Sequence, residues 1–196
     1  MTWLAEMYVT LLAGIVAGVL NMAWCTVPVA KRLARPIDGG RRWHDGRALF
    51  GANKTWKGLI GMTVLGAAAM TAWAAVCAHV PFLEANMLFF RYHRNTLAGA
   101  ALIGAALGLA YALFELPNSF LKRRLGVTPG RPATGAARVW LTILDQVDSI
   151  VGLVLVVALL CPITPGFFLG YVLVGGLTHA VLNVSLFAVH LRRNPL

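Results

Sequence analysis

Residues 149–191 read SIVGLVLVVALLCPITPGFFLGYVLVGGLTHAVLNVSLFAVHL and contain no Asp, Glu, Lys or Arg. A helix of about 20 apolar residues is enough to cross a lipid bilayer, so this stretch is too long for one crossing. Pro162 and Pro165 interrupt it, because proline lacks the backbone N–H that a continuous helix needs. The stretch therefore predicts the end of one membrane-spanning helix, a turn, and a second complete helix.

The remainder of the chain has the same apolar character. The composition is 59% hydrophobic and 12% charged, with a mean hydropathy of +0.73, which excludes an ordinary soluble domain. Three further uncharged runs each suit one helix of about 20 residues. We therefore predict an all-α integral membrane protein that forms a single polytopic domain over residues 1–196. Its five transmembrane helices are expected at about residues 7–30, 58–80, 96–115, 139–161 and 166–190.

Lys and Arg are unevenly distributed between the predicted helices. The first basic loop, residues 31–57, carries eight of them and the second basic loop, residues 119–138, carries five, whereas residues 81–95 carry two. Because cytoplasmic loops are enriched in Lys and Arg, we expect both basic loops in the cytoplasm. Five crossings then place the N-terminus outside and the C-terminus, with Arg192 and Arg193, in the cytoplasm. We expect a multi-pass protein of the cell membrane whose active site faces the cytoplasm.

The fourth predicted helix contains two acidic residues, Asp145 and Asp148. A carboxylate at membrane depth costs about 3 kcal/mol, so each needs compensation. Their spacing of three residues places both on one helix face, where they can bind Mg²⁺ that is shared with substrate phosphates. Two alternatives stay open, namely a buried pair neutralised by Lys or Arg from a loop, and a proton relay.

The first basic loop combines its cations with glycines, as in GGRRWHDGRALFGANKTWKG, residues 39–58. Glycine lets backbone N–H groups crowd around an anion, while Lys and Arg supply charge and hydrogen bonds. We interpret the loop as a phosphate-binding element. Its candidate substrate-binding residues are Asp45, Gly46, Arg47, Gly51, Asn53, Lys54, Thr55 and Lys57. The alternative is an ordinary topology determinant that binds anionic lipid headgroups.

A third polar segment, ELPNSFLKRR at residues 115–124, follows the third predicted helix. We expect Pro117 to loosen the helix end and to leave Asn118 and Ser119 to bond either the freed backbone or a ligand. Glu115 is either a metal ligand or the partner of a buried Arg. A second phosphate-facing cluster consists of Lys122, Arg123 and Arg124.

These segments resemble a known group of lipid enzymes. SFLKR at residues 119–123 and DQVD at residues 145–148 are similar to the opening and closing parts of the phosphatidate cytidylyltransferase signature. The middle of that signature is absent. The CDP-archaeol synthase branch is a closer match, on DGRALFGANKTWKG (45–58), PNSFLKRRLGVTPG (117–130) and LDQVDS (144–149). In this chain Ala48 and Ala52 replace an Arg and a frequent acid of that branch.

The resemblance implies an enzyme, a CTP:lipid-phosphate cytidylyltransferase of phospholipid biosynthesis. It would convert CTP and a lipid phosphomonoester, either phosphatidate-like or archaeol-phosphate-like, to a CDP-lipid and pyrophosphate. In this interpretation Asp145 and Asp148 hold the Mg²⁺ cofactor. The catalytic residues are then Asp145, Asp148, Lys122 and Arg123, and Asn118 and Ser119 join the substrate-binding residues.

Two other functions stay open at this point. A small membrane transporter would use Asp145 and Asp148 as an ion or proton relay. A CDP-alcohol phosphotransferase would need the pattern D-x-x-D-G-x-x-A-R with further Asp residues, which the sequence from Ser149 does not continue. The expected partners are CTP and a lipid phosphate in the membrane, with no nucleic acid, and a homodimer is left open.

Overall fold

A computed structural model describes residues 2–131 and 133–188 of the chain. Its helices, in chain order, are α1 (Thr2–Thr26), α2 (Trp56–Cys77), α3 (Pro81–Asn86), α4 (Leu88–Tyr92), α5 (Leu97–Arg124), α6 (Arg138–Leu160) and α7 (Pro165–Ala188). Short 3₁₀ turns lie at Lys31–Ala34 and Gly135–Ala137. Five helices, α1, α2, α5, α6 and α7, are long and apolar enough to cross a membrane, and the described residues form only isolated β-bridges. The predicted all-α architecture with five spanning helices is therefore confirmed.

The first spanning helix ends at Thr26 rather than near residue 30, where the sequence analysis placed its end. Pro28 accounts for the difference, because the residue before a proline avoids the helical conformation and proline itself cannot donate a backbone hydrogen bond. The chain then turns into the first basic loop, which returns to α2 at Trp56.

The third spanning helix, α5, continues through Pro117 to Arg124, so the predicted loosening of the helix end by this proline was wrong. A proline inside a membrane helix costs one backbone hydrogen bond, which the packing of α5 against α2 and α6 outweighs. The helix ends where Gly126 adopts a left-handed conformation with φ +77° and donates its N–H to the Arg123 carbonyl at 3.1 Å. The polar side chains after the proline therefore lie on a regular helix.

The last predicted helix agrees with α7 as far as Ala188. Residues 1, 132 and 189–196 lie outside the described part of the chain, and they include Arg192 and Arg193. The expected cytoplasmic position of the C-terminus therefore concerns residues that the structure does not describe. The orientation of the bundle in the membrane stays a prediction.

Glycines bring α5 into direct backbone contact with α2. A Cβ atom on Gly104 would lie 2.2 Å from the Gly66 carbonyl oxygen, and one on Gly108 would lie 2.1 Å from the Met62 carbonyl oxygen. Small residues of this kind allow membrane helices to approach closely, so that dispersion contacts hold them together. On its other side α5 packs against α6, where a Cβ atom on Gly152 would lie 2.6 Å from the carbonyl oxygen of a residue on α5. Helix α5 is thus fixed between α2 and α6.

The two short helices α3 and α4 cover one end of the bundle. The backbone N–H of Leu88 donates to Thr10 Oγ1 at 3.1 Å, and Arg91 forms an ion pair with Glu6 at 3.1 Å. The first basic loop lies at the opposite end, beside the end of α5. One end of the bundle is therefore closed by apolar and polar contacts, and the other carries the cationic segments.

We expect Gly104→Ala to destabilise the protein, because its methyl group would overlap the Gly66 carbonyl oxygen at 2.2 Å. Overpacking of this kind costs about 1–3 kcal/mol. The measurement is the midpoint of thermal unfolding of the purified protein in detergent. Gly166→Ala is the matched control, since a Cβ atom there meets nothing within 4 Å. Equal midpoints for the two variants would contradict the close α2–α5 contact.

Candidate active site

The two acidic residues of α6 meet a shared partner on α5. Asn118 Nδ2 donates to Asp145 Oδ1 at 2.6 Å and to Asp148 Oδ2 at 2.6 Å. Lys122, one turn further along α5, forms an ion pair with Asp145 through both carboxylate oxygens. The predicted convergence of the two carboxylates on one helix face is thus present, and Lys122 on α5 supplies a neutralising charge.

A second ion pair lies on the same face of α5, where Glu115 contacts Lys54 of the first basic loop. Glu115, Asn118 and Lys122 are spaced by three and four residues, so they share one side of the helix. Burial alone would lower the pKa of Lys54, but the negative charges of Glu115, Asp148 and Asp145 raise it above its usual value. Lys54 therefore keeps its positive charge at neutral pH.

A cavity of about 650 Å³ opens next to these pairs, within the size range of small-molecule sites. Its charged wall contains Lys54, Glu115, Lys122, Arg123, Asp145 and Asp148, and the amide and hydroxyl side chains of Asn53, Asn118 and Ser119 also line it. Its apolar wall comes from α1 and α7 and includes Ile15, Val19, Met22, Leu182 and Leu186. The cavity can therefore hold a molecule with an anionic part and an apolar part.

Arg123 is the most conspicuous cation of this cavity. Arg123 is only 6% exposed, yet its Nε and Nη1 atoms have no hydrogen-bond partner among the described residues. A buried guanidinium without a partner is costly, and its forked donors match phosphate or carboxylate oxygens. The arrangement fits an anion that enters the cavity.

Two predicted substrate-binding residues of the first basic loop instead fasten the loop to the end of α5. Asp45 pairs with Arg124 and also accepts the backbone N–H of Arg47 at 3.0 Å. The Arg47 guanidinium donates to the Arg124 carbonyl, one of the carbonyls left free at the helix end. A cation in this place also compensates the negative end of the helix dipole. Both residues lie outside the cavity wall, and their contact with substrate stays a prediction.

Thr55 and Lys57 have contacts within the protein at the start of α2. The Thr55 hydroxyl caps this helix by accepting the Gly58 N–H at 3.2 Å. Lys57 is buried, donates to the Val27 carbonyl at 2.6 Å and lies 4.8 Å from the centre of the Trp24 ring. Neither side chain lines the cavity, so their assignment to substrate stays a prediction.

Gly46 and Gly51 allow the turns of the first basic loop. Their φ angles are +75° and +108°, which side chains rarely allow, and a Cβ atom on Gly51 would lie 2.8 Å from Pro129 of the second basic loop. Gly51 therefore lets the two basic loops touch. A role for either glycine in binding phosphate stays a prediction.

Asp38 organises the first basic loop and was missed by the sequence analysis. Its carboxylate accepts backbone N–H groups from Gly40 at 2.9 Å, Phe50 at 3.0 Å and Gly51 at 3.2 Å. Burial alone would raise the pKa of Asp38, but these hydrogen bonds lower it below the usual value. The signal in the sequence is Asp38 followed by two glycines, a pattern typical of a turn closed by an Asp side chain.

The structure also identifies a cavity residue that the sequence analysis did not single out, and two polar contacts between helices. Arg131, which follows Gly130 in the second basic loop, lines the cavity. Deeper in the bundle, Asn183 of α7 donates to Gln146 Oε1 at 2.8 Å, and His179 Nδ1 lies 3.2 Å from the Gln146 carbonyl. These contacts link α6 to α7 beside the carboxylate pair.

Comparison with known proteins places this chain in a family. A family model described as CarS-like: CDP-archaeol synthase matches residues 26–195. The chain belongs to the CDP-archaeol synthase family. A CDP-archaeol synthase of Thermococcus onnurineus (strain NA1) is 38% identical over 108 residues, which are 55% of this chain and only 56% of that protein's length. A CDP-archaeol synthase of Pyrobaculum arsenaticum is 31% identical, and the alignment covers 82% of this chain and 81% of that protein.

A solved structure supports the fold of this CDP-archaeol synthase family member. It is described as "Structural insight into an intramembrane enzyme for archaeal membrane lipids biosynthesis" and superposes with a TM-score of 0.61. The sequences are 27% identical, and the match covers 90% of this chain and 92% of the solved one. The similarity extends over nearly the whole five-helix bundle, so the chain is a multi-pass membrane protein.

We expect Asp38→Ala to expose the first basic loop to protease, because three backbone N–H groups lose their acceptor. An unmade buried hydrogen bond costs about 1–3 kcal/mol, which corresponds to a cleavage rate about five-fold or more above the wild-type rate. The measurement is limited trypsin digestion after Arg41 and Arg42 in lipid nanodiscs. Glu84→Ala, an exposed change on α3, is the control. Unchanged cleavage would show that Asp38 does not hold the loop.

Proposed function

We propose that the protein is a CTP-dependent cytidylyltransferase that converts a lipid phosphomonoester to a CDP-lipid with release of pyrophosphate. The observation that carries the proposal is the shared cavity of the paired carboxylates, Arg123 and two lysines, with an apolar wall beside them. Membership of the CDP-archaeol synthase family supports the same reaction. The names of the relatives favour an acceptor that resembles archaeol phosphate over one that resembles phosphatidate.

In the proposed reaction an oxygen of the lipid phosphate attacks the α-phosphorus of CTP. A new P–O bond forms while the bond between the α-phosphorus and its bridging oxygen to the β-phosphorus breaks, and pyrophosphate leaves with that electron pair. The phosphate nucleophile is already ionised and needs no general base. The work of the protein is therefore to position two anionic substrates and to neutralise their charge.

The cations of the cavity fit these two tasks. Arg123 has unpaired forked donors and would hold the lipid phosphate or the α-phosphate. Lys122, which pairs with Asp145, would help to hold the same phosphate. Lys54 reaches the cavity from the first basic loop and would hold the β- and γ-phosphates. Such prearranged cations stabilise charge that develops in the transition state.

The carboxylate pair fits a divalent cation. Asp145 and Asp148 supply hard oxygen donors, and the buried Oδ1 atom of their neighbour Asn118 has no hydrogen-bond partner in the described structure. The described residues contain no group of three or more His, Cys, Asp or Glu side chains placed to bind a metal. Mg²⁺ suits such a site, since it usually shares its coordination with water and substrate phosphates. When bound there, it would neutralise charge on the triphosphate.

The two walls of the cavity also fit the physical state of the substrates. The apolar wall from α1 and α7 would receive the lipid chains, which cannot leave the bilayer without a large hydrophobic cost. The charged wall lies towards the basic loops, which the positive-inside rule assigns to the cytoplasm, where CTP is available. We therefore place the active site at the cytoplasmic face of the cell membrane, with the N-terminus outside.

The direct test uses purified protein, labelled CTP and a panel of lipid phosphates with ether-linked or ester-linked chains. We expect a labelled CDP-lipid and an equal amount of pyrophosphate, with the highest rate for the ether-linked acceptor. EDTA should abolish the product, and added Mg²⁺ should restore it, because the carboxylates then regain their cation. Absence of CDP-lipid from every acceptor would reject the proposed function, and an EDTA-resistant rate would reject the metal.

A second test removes the unpaired guanidinium. Arg123→Met keeps the apolar stem but deletes the charged donors, and we expect a loss of about 10²–10³ in the rate of CDP-lipid formation, as for other prearranged donors. Arg138→Met is the matched control, because Arg138 is exposed at the start of α6 and does not line the cavity. If both variants keep the wild-type rate, Arg123 does not bind a substrate phosphate.

A further inference from the structure

Asn118 has an unusual position for a neutral side chain. It is 5% exposed, and its single amide nitrogen donates to Asp145 and to Asp148, each at 2.6 Å. An amide nitrogen carries two hydrogens, so these two contacts use both of them. Because ionised carboxylates only accept hydrogen bonds, the amide nitrogen, and not the amide oxygen, faces them.

The other end of the same amide has no partner. Asn118 Oδ1 is buried and accepts no hydrogen bond from the described residues. Because Oδ1 has no partner among the described residues, a change in the orientation of the amide costs it no hydrogen bond. A carbonyl oxygen is also a ligand that hard divalent cations accept.

Asp148 gives the second indication. Asp145 is paired with Lys122, whereas Asp148 has no ion pair within the described ranges and accepts from Asn118 and from the Ser149 N–H at 2.6 Å. The hydrogen bonds that stabilise the Asp148 carboxylate therefore come from neutral donors. The bridging amide occupies the place where a positive charge would be most favourable.

We propose that Asn118 is a two-position side chain that responds to the divalent cation. Without the ion, its N–H groups bridge Asp145 and Asp148 and reduce their repulsion. With the ion, the amide rotates end for end, and Oδ1 becomes a third protein ligand beside the two carboxylates. The rotation exchanges two atoms of nearly equal size, so it requires no repacking of α5 against α6. This inference rests on the metal site of the proposed function.

A ligand role and a purely bridging role of Asn118 predict opposite changes in ion binding when its side chain is removed. If Asn118 only bridged the carboxylates, it would compete with the ion, and its removal would strengthen ion binding. If Oδ1 is a ligand, removal of the side-chain oxygen weakens ion binding. Asn118→Leu removes both ends of the amide at similar volume, and Asn118→Asp keeps an oxygen but removes the N–H donors.

The experiment measures Mn²⁺ binding to the purified protein and both variants in detergent, by electron paramagnetic resonance of the free ion. We expect Asn118→Leu to raise the dissociation constant about ten-fold or more, because a ligand worth about 1.4 kcal/mol is lost. We expect Asn118→Asp to bind Mn²⁺ at least as tightly as the wild type. Thermal unfolding with Mn²⁺ and with EDTA should show a larger stabilisation by the ion in Asn118→Asp than in the wild type.

Several outcomes would overturn the inference. Unchanged or tighter binding by Asn118→Leu shows that the amide only competes with the ion. Weaker binding by Asn118→Asp shows that the N–H donors are required, and this outcome overturns the inference even if Asn118→Leu does not fold. If the wild type makes CDP-lipid and binds Mn²⁺ while the variants do not differ, the inference fails alone. If the wild type binds no Mn²⁺, the metal in the proposed function fails with it.

Discussion

The arrangement of the bundle depends on the compensation of two acidic side chains within membrane-spanning helices. Asp145 and Asp148 would be costly in α6 if they faced lipid. Their compensation comes from the amide of Asn118 and the ammonium of Lys122, both on α5. This contact fixes the rotation of the two helices relative to each other. The cavity, its cations and the position of the first basic loop follow from that arrangement.

The continuation of α5 through Pro117 makes the compensation possible. A helix that ended near residue 115 would leave Asn118 and Lys122 in a loop, where their positions relative to α6 would be poorly fixed. A regular helix instead presents them at successive turns, in line with Glu115. Because Glu115 pairs with Lys54, the same face of α5 also fixes the first basic loop against the cavity. One helix face therefore brings together groups that are far apart in the sequence.

Sequence analysis predicted the parts of this structure that depend on local composition. Three uncharged runs and the long stretch 149–191, divided at its prolines, defined the spanning helices, and the spacing of Asp145 and Asp148 defined one helix face. Sequence analysis could not distinguish cations that face the cavity from cations that hold the loop, because both groups carry the same charge. Lys54 and Arg123 line the cavity, whereas Arg47 caps the end of α5. The roles of Pro117 and Asp38 depend on contacts with distant residues, which the local pattern does not contain.

The close glycine contacts between α2 and α5 lie apart from the apolar wall of the cavity. Backbone meets backbone at Gly66 and Gly104, which holds the two helices at a short, fixed distance. Helix α7 lies on the far side of α6, and its side chains Leu182 and Leu186 form part of the apolar wall. Substitutions on this wall can change the shape of the cavity while the polar atoms on α5 stay in place. Under the proposed function, selection for new lipid tails can therefore act separately from selection for phosphate chemistry.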